Sequence, residues 1–153
     1  MIVTRRTLLS GSLFLLSVAG TRETRAQGSG VWIVTAQEAA LPPSRSGAAD
    51  RSISRGPAIR KVSPLGAVRA NTPFSLRIEF AARGGDTINL ATVQVTLLRG
   101  GDIDITRRLK AYVTAGGIDI PDATMAAGTH TLQIAVSDAS GRRSVATIEI
   151  DAL

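Results

Sequence analysis

Phe74-Ser75-Leu76-Arg77-Ile78-Glu79-Phe80 alternates without a break. Phe74, Leu76, Ile78 and Phe80 fall on one side, Ser75, Arg77 and Glu79 on the other. Successive side chains of an extended chain point to opposite faces, so this is a strand with one face in a core and one in water. Gly84-Gly85-Asp86 turns the chain, and Val93, Val95 and Leu97 repeat the period up to Gly100-Gly101-Asp102. Leu132, Ile134 and Val136 form another apolar face. Asp138-Ala139-Ser140-Gly141 predicts a hairpin turn with Gly141 at positive φ, and Ala146, Ile148 and Ile150 mark the last strand. Ala58 to Val62, Ile103 to Ile105 and Gly117 to Ile120 supply three more. The third of these is expected at a sheet edge, ended by Pro121, which has no N–H for a ladder. Thr106 to Tyr112 predicts one helical turn capped by Thr106.

Turn residues every eight to twelve positions with period-two strands between them describe an antiparallel sandwich. The predicted class is all-β: an immunoglobulin-like antiparallel sandwich of about seven strands over residues 57–153. The chain has 153 residues, enough for one domain. It has no cysteine, which excludes disulfides, thiolate metal sites and a cysteine nucleophile. His130 is the single histidine, and one Trp and one Tyr leave little with which to stack bases or sugars.

Residues 1–26 read as an export signal with a signal helix. Arg5 and Arg6 open it, and the twelve residues Leu8 to Ala19 are apolar. That run is too short to span a bilayer core, which takes about 20 residues. Thr24-Arg25-Ala26 sets small residues before a cut between Ala26 and Gln27. Thr4-Arg5-Arg6-Thr7-Leu8-Leu9 resembles the twin-arginine translocation motif, which implies passage through that translocon, cleavage by signal peptidase and a periplasmic destination without a lasting membrane anchor. The signal holds four Arg and one Glu, so it takes 3 of the formal +6 with it and leaves +3. These charges are spread along the chain, which argues against a nucleic-acid surface.

Residues 27–36 contain the short strand Val31-Trp32-Ile33-Val34-Thr35. Residues 37–56 are rich in Ala, Ser, Gly, Pro and Arg without periodicity and are expected as a disordered linker. Two readings of Trp32 follow. Val31 to Thr35 adds an edge strand to the sandwich and buries the indole, or the tethered strand offers the indole to a partner.

Val62-Ser63-Pro64-Leu65-Gly66 followed by the Phe74–Phe80 strand resembles the opening of bacterial immunoglobulin-like domains. Ala127-Gly128-Thr129-His130-Thr131-Leu132 through Asp138-Ala139-Ser140-Gly141 is similar to their closing hairpin, with His130 where many members carry Tyr. The resemblance covers residues 57–151, rests on structural motifs, and implies no particular activity. The topology is also similar to the periplasmic copper-binding sandwiches of the CopC type, which implies metal handling through an N-terminal histidine and further His or Met ligands. Here Gln27 follows the cut, Met125 is the one Met beyond the signal and His130 stands alone, so no metal or other cofactor is expected.

His130 lies where such sandwiches place a corner residue hydrogen-bonded to backbone, and no G-x-S-x-G nucleophile motif accompanies it. Asp102 and Asp104, if on a strand, share a face and pair with Arg107 and Arg108, or gather with Asp119, Asp122 or Asp138 around calcium. Arg142 and Arg143 read as a solubilising pair. The expectation is an exported periplasmic binding or accessory module, not an enzyme, that takes a protein partner through Val31, Trp32, Ile33, Val34 and Thr35 or at a sheet edge.

Overall fold

The computed structural model describes residues 30–44 and 55–153. Arg5, Arg6, Ala26 and Gln27 lie outside the described residues. The Phe74–Phe80 alternation forms β3 (Phe74–Ala81), with Leu76, Ile78 and Phe80 buried and Ser75 and Arg77 exposed. β3 pairs with β2 (Ala58–Ser63) on one side and with β7 (Gly117–Met125) on the other, both antiparallel. The far edge of β7 carries two short strands in succession. β6 (Val113–Thr114) pairs with Gly117 and Ile118, and β1 (Val31–Val34) pairs with Ala123 to Met125. The second sheet has the order β5 (Ile103–Asp104), β4 (Ile88–Leu97), β8 (Gly128–Asp138), β9 (Arg143–Ala152).

The sheets enclose one core. Leu76, Ile78, Ile118 and Ile120 face Val95, Leu97, Leu132, Ile134, Val136 and Ile150, all buried. Complete burial of each such side chain stabilises the fold by about 1.5–3 kcal/mol before the chain entropy that opposes it. The segment after β2 crosses between the sheets. Val68 N–H donates to Asp151 O at 2.8 Å, and Leu153 N–H returns to Val68 O at 2.9 Å. This parallel bridge covers the outer edge of β9 near its end.

Four features differ from the sequence expectation. β7 is not a short edge strand but the centre of its sheet. Pro121 does not end it, because the β3–β7 register shifts there. Leu76 faces Ile120 and Phe74 faces Ala123, so the strand bulges where a residue without an N–H is tolerated. Second, β1 runs parallel to β7 in a sandwich expected to be antiparallel.

Third, the chain from Gln37 to Ser44, expected within the linker, is folded onto the sandwich. α1 (Ala36–Ala39) is one helical turn. Beyond it, the Arg99 guanidinium donates to Ala39 O at 3.0 Å and Leu41 O at 2.8 Å, and Ser44 N–H donates to Leu98 O. Composition gave no hint of this because the holding groups come from Leu98 to Gly100. Residues 45–54 of that linker lie outside the described residues.

Fourth, Thr106 is not the cap of its turn. It is the first residue of α2 (Thr106–Leu109), which a 3-10 turn (Lys110–Tyr112) continues. Asp104 Oδ1 accepts the Thr106 N–H at 2.8 Å, and the Thr106 hydroxyl instead accepts from Val95 N–H at 2.9 Å. The Asp138–Gly141 hairpin forms as expected, with Gly141 at φ 78°.

Candidate binding surface at Trp32

β1 is placed by its two apolar residues. Ile33 and Val34 are 0% exposed and join the core between the sheets. Trp32, between Val31 and Ile33, is 43% exposed. Its register partner is Thr124, which is buried like its β7 neighbours Ala123 and Met125. The β1–β7 register shifts between Trp32 and Val34, an irregularity that lets Ile33 and Val34 both turn inward while Trp32 stays part-exposed. The two readings of the strand therefore each hold in part. β1 docks on its own domain, and the indole stays at the surface.

The strand ends in a capping box. Thr35 Oγ1 accepts from Glu38 N–H at 3.3 Å, and Glu38 Oε2 accepts from Thr35 N–H at 2.9 Å, which satisfies two donors at the start of α1. Arg108, at the other side of β1, reaches the same carboxylate. Its Nη2 lies 2.7 Å from Glu38 Oε1, and its Nη1 donates to Glu38 Oε2 at 3.0 Å. Nη1 also meets Ile33 O at 2.7 Å and Trp32 O at 3.3 Å. The Arg108 hydrogen bond holds the Glu38 carboxyl at a pKa of about 2, against a smaller upward push from burial and with help from Thr35. The Arg108 pKa is raised by the same contact. The outer carbonyls of β1 are thus taken by a guanidinium. What β1 offers to a partner is a side chain, the indole, on a backbone fixed from both sides.

Arg108 was expected to pair with Asp102 or Asp104 and does not. Asp102 lies before β5 in a left-handed conformation (φ 64°), so the two aspartates do not share a strand face. Thr106 holds Asp104 and lowers its pKa, first through its hydroxyl and then its amide, with the Arg107 charge a lesser cause. The arginines beside the last hairpin are not merely a solubilising pair either. Arg142 Nε lies 2.7 Å from Asp138 Oδ2 and its Nη2 lies 3.0 Å from Asp86 Oδ2, tying the Gly84–Asp86 turn to the hairpin.

His130 is fully buried, with Nε2 2.8 Å from Ala126 O. A carbonyl only accepts, so Nε2 carries the proton, and Nδ1 has no hydrogen-bond partner among the described residues. Burial chiefly lowers its pKa, the Ala126 carbonyl opposes, and the Arg99 charge adds to the lowering. His130 is thus a buried side chain tied to backbone four residues before it. Met125 is also fully buried, and among the described residues no three His, Cys, Asp or Glu side chains gather as a metal site.

Sequence reading missed Glu38 and Arg108. The pattern Thr35-x-x-Glu38 directly after an apolar run was a usable signal for the helix start. Nothing local signals Arg108, which is 70 positions from Glu38. No protein-family model, curated protein or solved structure matches the chain.

Proposed function

We propose that this protein is an exported, periplasmic binding module of immunoglobulin-like type, without catalytic activity, that engages a protein partner through Trp32. The carrying observation is the contrast within β1: an indole 43% exposed, followed by two side chains that are 0% exposed. An aromatic held out by a fixed backbone gives contact area at small entropic cost on binding, the usual property of an interface anchor. Strand addition at β1 is the weaker mechanism, because Arg108 occupies the Trp32 and Ile33 carbonyls.

The immunoglobulin-like assignment is supported by the orders β1-β7-β3-β2 and β5-β4-β8-β9, and by the segment after β2 that crosses to lie parallel to β9. Export rests on the sequence of residues 1–26, including Arg5, Arg6 and the Ala26–Gln27 cut.

The test is affinity capture from periplasmic extract with the mature protein as bait, wild type beside Trp32→Ala. A partner held by wild type and lost by a folded Trp32→Ala variant is the expected result. Equal capture by both would move the interface elsewhere on the sandwich.

A further inference from the structure

A second surface lies between β4 and α2, and an irregularity in β4 shapes it. Pairing with β8 joins Asn89 to Ser137 and resumes at Gln94 with Ala135, so Leu90 to Val93 stand against Val136 alone. Side chains hold this bulge in place. Asn89 Oδ1 accepts the Ala91 N–H at 3.1 Å. The Thr92 hydroxyl donates to Asn89 O at 2.7 Å and accepts from Ser137 N–H at 2.9 Å.

The bulged backbone forms one wall of a cleft and the α2 turn forms the other, around a volume of about 520 Å³. Ligand sites in proteins commonly span about 300–1,000 Å³. Leu90, 47% exposed, and the part-buried Val113 line it with apolar surface, over Val93, which belongs to the core. Arg107 and Lys110 line the same cleft. Among the described residues neither cation has a carboxylate within ion-pair distance. The third charge there, Asp104, has Oδ1 engaged by the Thr106 amide and lies within the field of Arg107.

We propose that this cleft binds a small amphipathic anion, a carboxylate with an aliphatic body. Its head sits between Arg107 and Lys110 and its chain lies over Leu90 and Val113. Charge complementarity selects the head, since Arg107 and Lys110 outnumber the single carboxylate, Asp104, in the lining and leave it net positive. The apolar lining selects the body. An extended peptide fits less well, because the bulge breaks the regular edge that strand addition needs and the Ala91 N–H is already used.

Sodium decanoate is the probe, titrated into the full chain and followed through backbone amide shifts. Saturable one-to-one binding is expected, with shifts confined to Leu90–Gln94 and Arg107–Lys110. Butyrate should bind more weakly, and decylammonium should not compete. Arg107→Gln and Lys110→Gln should each weaken decanoate about tenfold through loss of a charge-assisted contact. Leu90→Glu, at an exposed position that leaves the core intact, should weaken it as well with an unchanged thermal midpoint. Trp32→Ala should bind decanoate as wild type does, which keeps this site separate from the partner surface. Absence of saturation, equal binding of decylammonium, or unchanged affinity in the three cleft variants would overturn the proposal.

Discussion

Arg108 closes on Glu38 with two hydrogen bonds, 2.7 Å and 3.0 Å long, and the same guanidinium holds the Ile33 carbonyl at 2.7 Å. One side chain thereby fastens β1, the start of α1 and α2 together. Arg108→Ala removes the ion-pair partner of Glu38, whose Oε2 keeps the Thr35 N–H and hydroxyl, and takes the guanidinium from the Trp32 and Ile33 carbonyls. The side chains are 32% and 15% exposed, so water replaces part of the loss, and a cost of about 1–2 kcal/mol is expected. Urea unfolding of wild type and variant measures it. Faster amide exchange at Val34 and Ala126 should accompany the loss, because Ala126 N–H donates to Val34 O.

Acid should loosen this fastening. The Glu38 carboxyl titrates at about 2 in the folded protein against 4.5 as its reference. A depressed carboxyl pKa contributes stability that is complete above the reference value and disappears as pH falls through the folded one. The loss therefore runs from about pH 4.5 down to about pH 2. Asp86 and Asp104 also have lowered pKa values, Asp86 chiefly through the Ser140 hydroxyl, and lose stability in the same direction. Stability against pH in Glu38→Gln should be flatter than wild type over that window, and parallel curves would refute the assignment.

Neighbouring residues on β1 should respond to different degrees. Ile33→Ala opens a cavity in the shared core and should cost about 2–4 kcal/mol. Trp32→Ala removes a side chain that is 43% exposed and outside the buried cluster, and should cost less than Ile33→Ala, about 1–2 kcal/mol. Chemical denaturation of both variants decides this, and a small effect at Ile33 would mean that β1 is not part of the core.

His130 predicts a second pH effect, nearer neutrality. Its folded pKa lies below the reference 6.5, mainly through burial, with the Arg99 charge nearby. The unfolded chain takes up the proton first, so stability is complete above about pH 6.5 and falls as pH drops toward the folded value. Thermal midpoints at pH 7.5 and pH 5 should differ in wild type, and the difference should shrink in His130→Gln.

Period-two alternation was enough to place β3, the Val93–Leu97 part of β4, the inward face of β8 and the Asp138–Gly141 hairpin, because those signals are local. Pro121 misled for the same reason: a missing N–H reads as a strand end unless the bulge that accommodates it, set by pairing with β3, is known. The fold of Gln37–Ser44 was not legible at all, since Arg99 supplies its hydrogen bonds from the far side of the sequence. At the binding surface, Trp32 could be named from its type and position. That Ile33 and Val34 would be buried while the indole stayed out depends on parallel pairing with β7, and no sequence pattern carries that register. Arg107 and Arg108 are adjacent and identical in type, yet one faces the cleft and the other the Glu38 carboxylate. The direction of the α2 turn decides it.

The parallel pairing of β1 with β7 also sets an order of events. β8 and β9 are joined by a hairpin and zip from a local turn, whereas Val31 meets Ala123 across most of the chain. Long loop closures come late and slow folding. β1 is therefore expected to dock after the β8–β9 hairpin has formed, and a chain in which it has not docked would expose the Ala123–Met125 edge of β7. Such a chain would present a bare strand edge beside an unfilled apolar slot, the condition under which sheet proteins self-associate. Arg108, by holding Glu38 and the Ile33 carbonyl, keeps β1 over that edge in the folded protein.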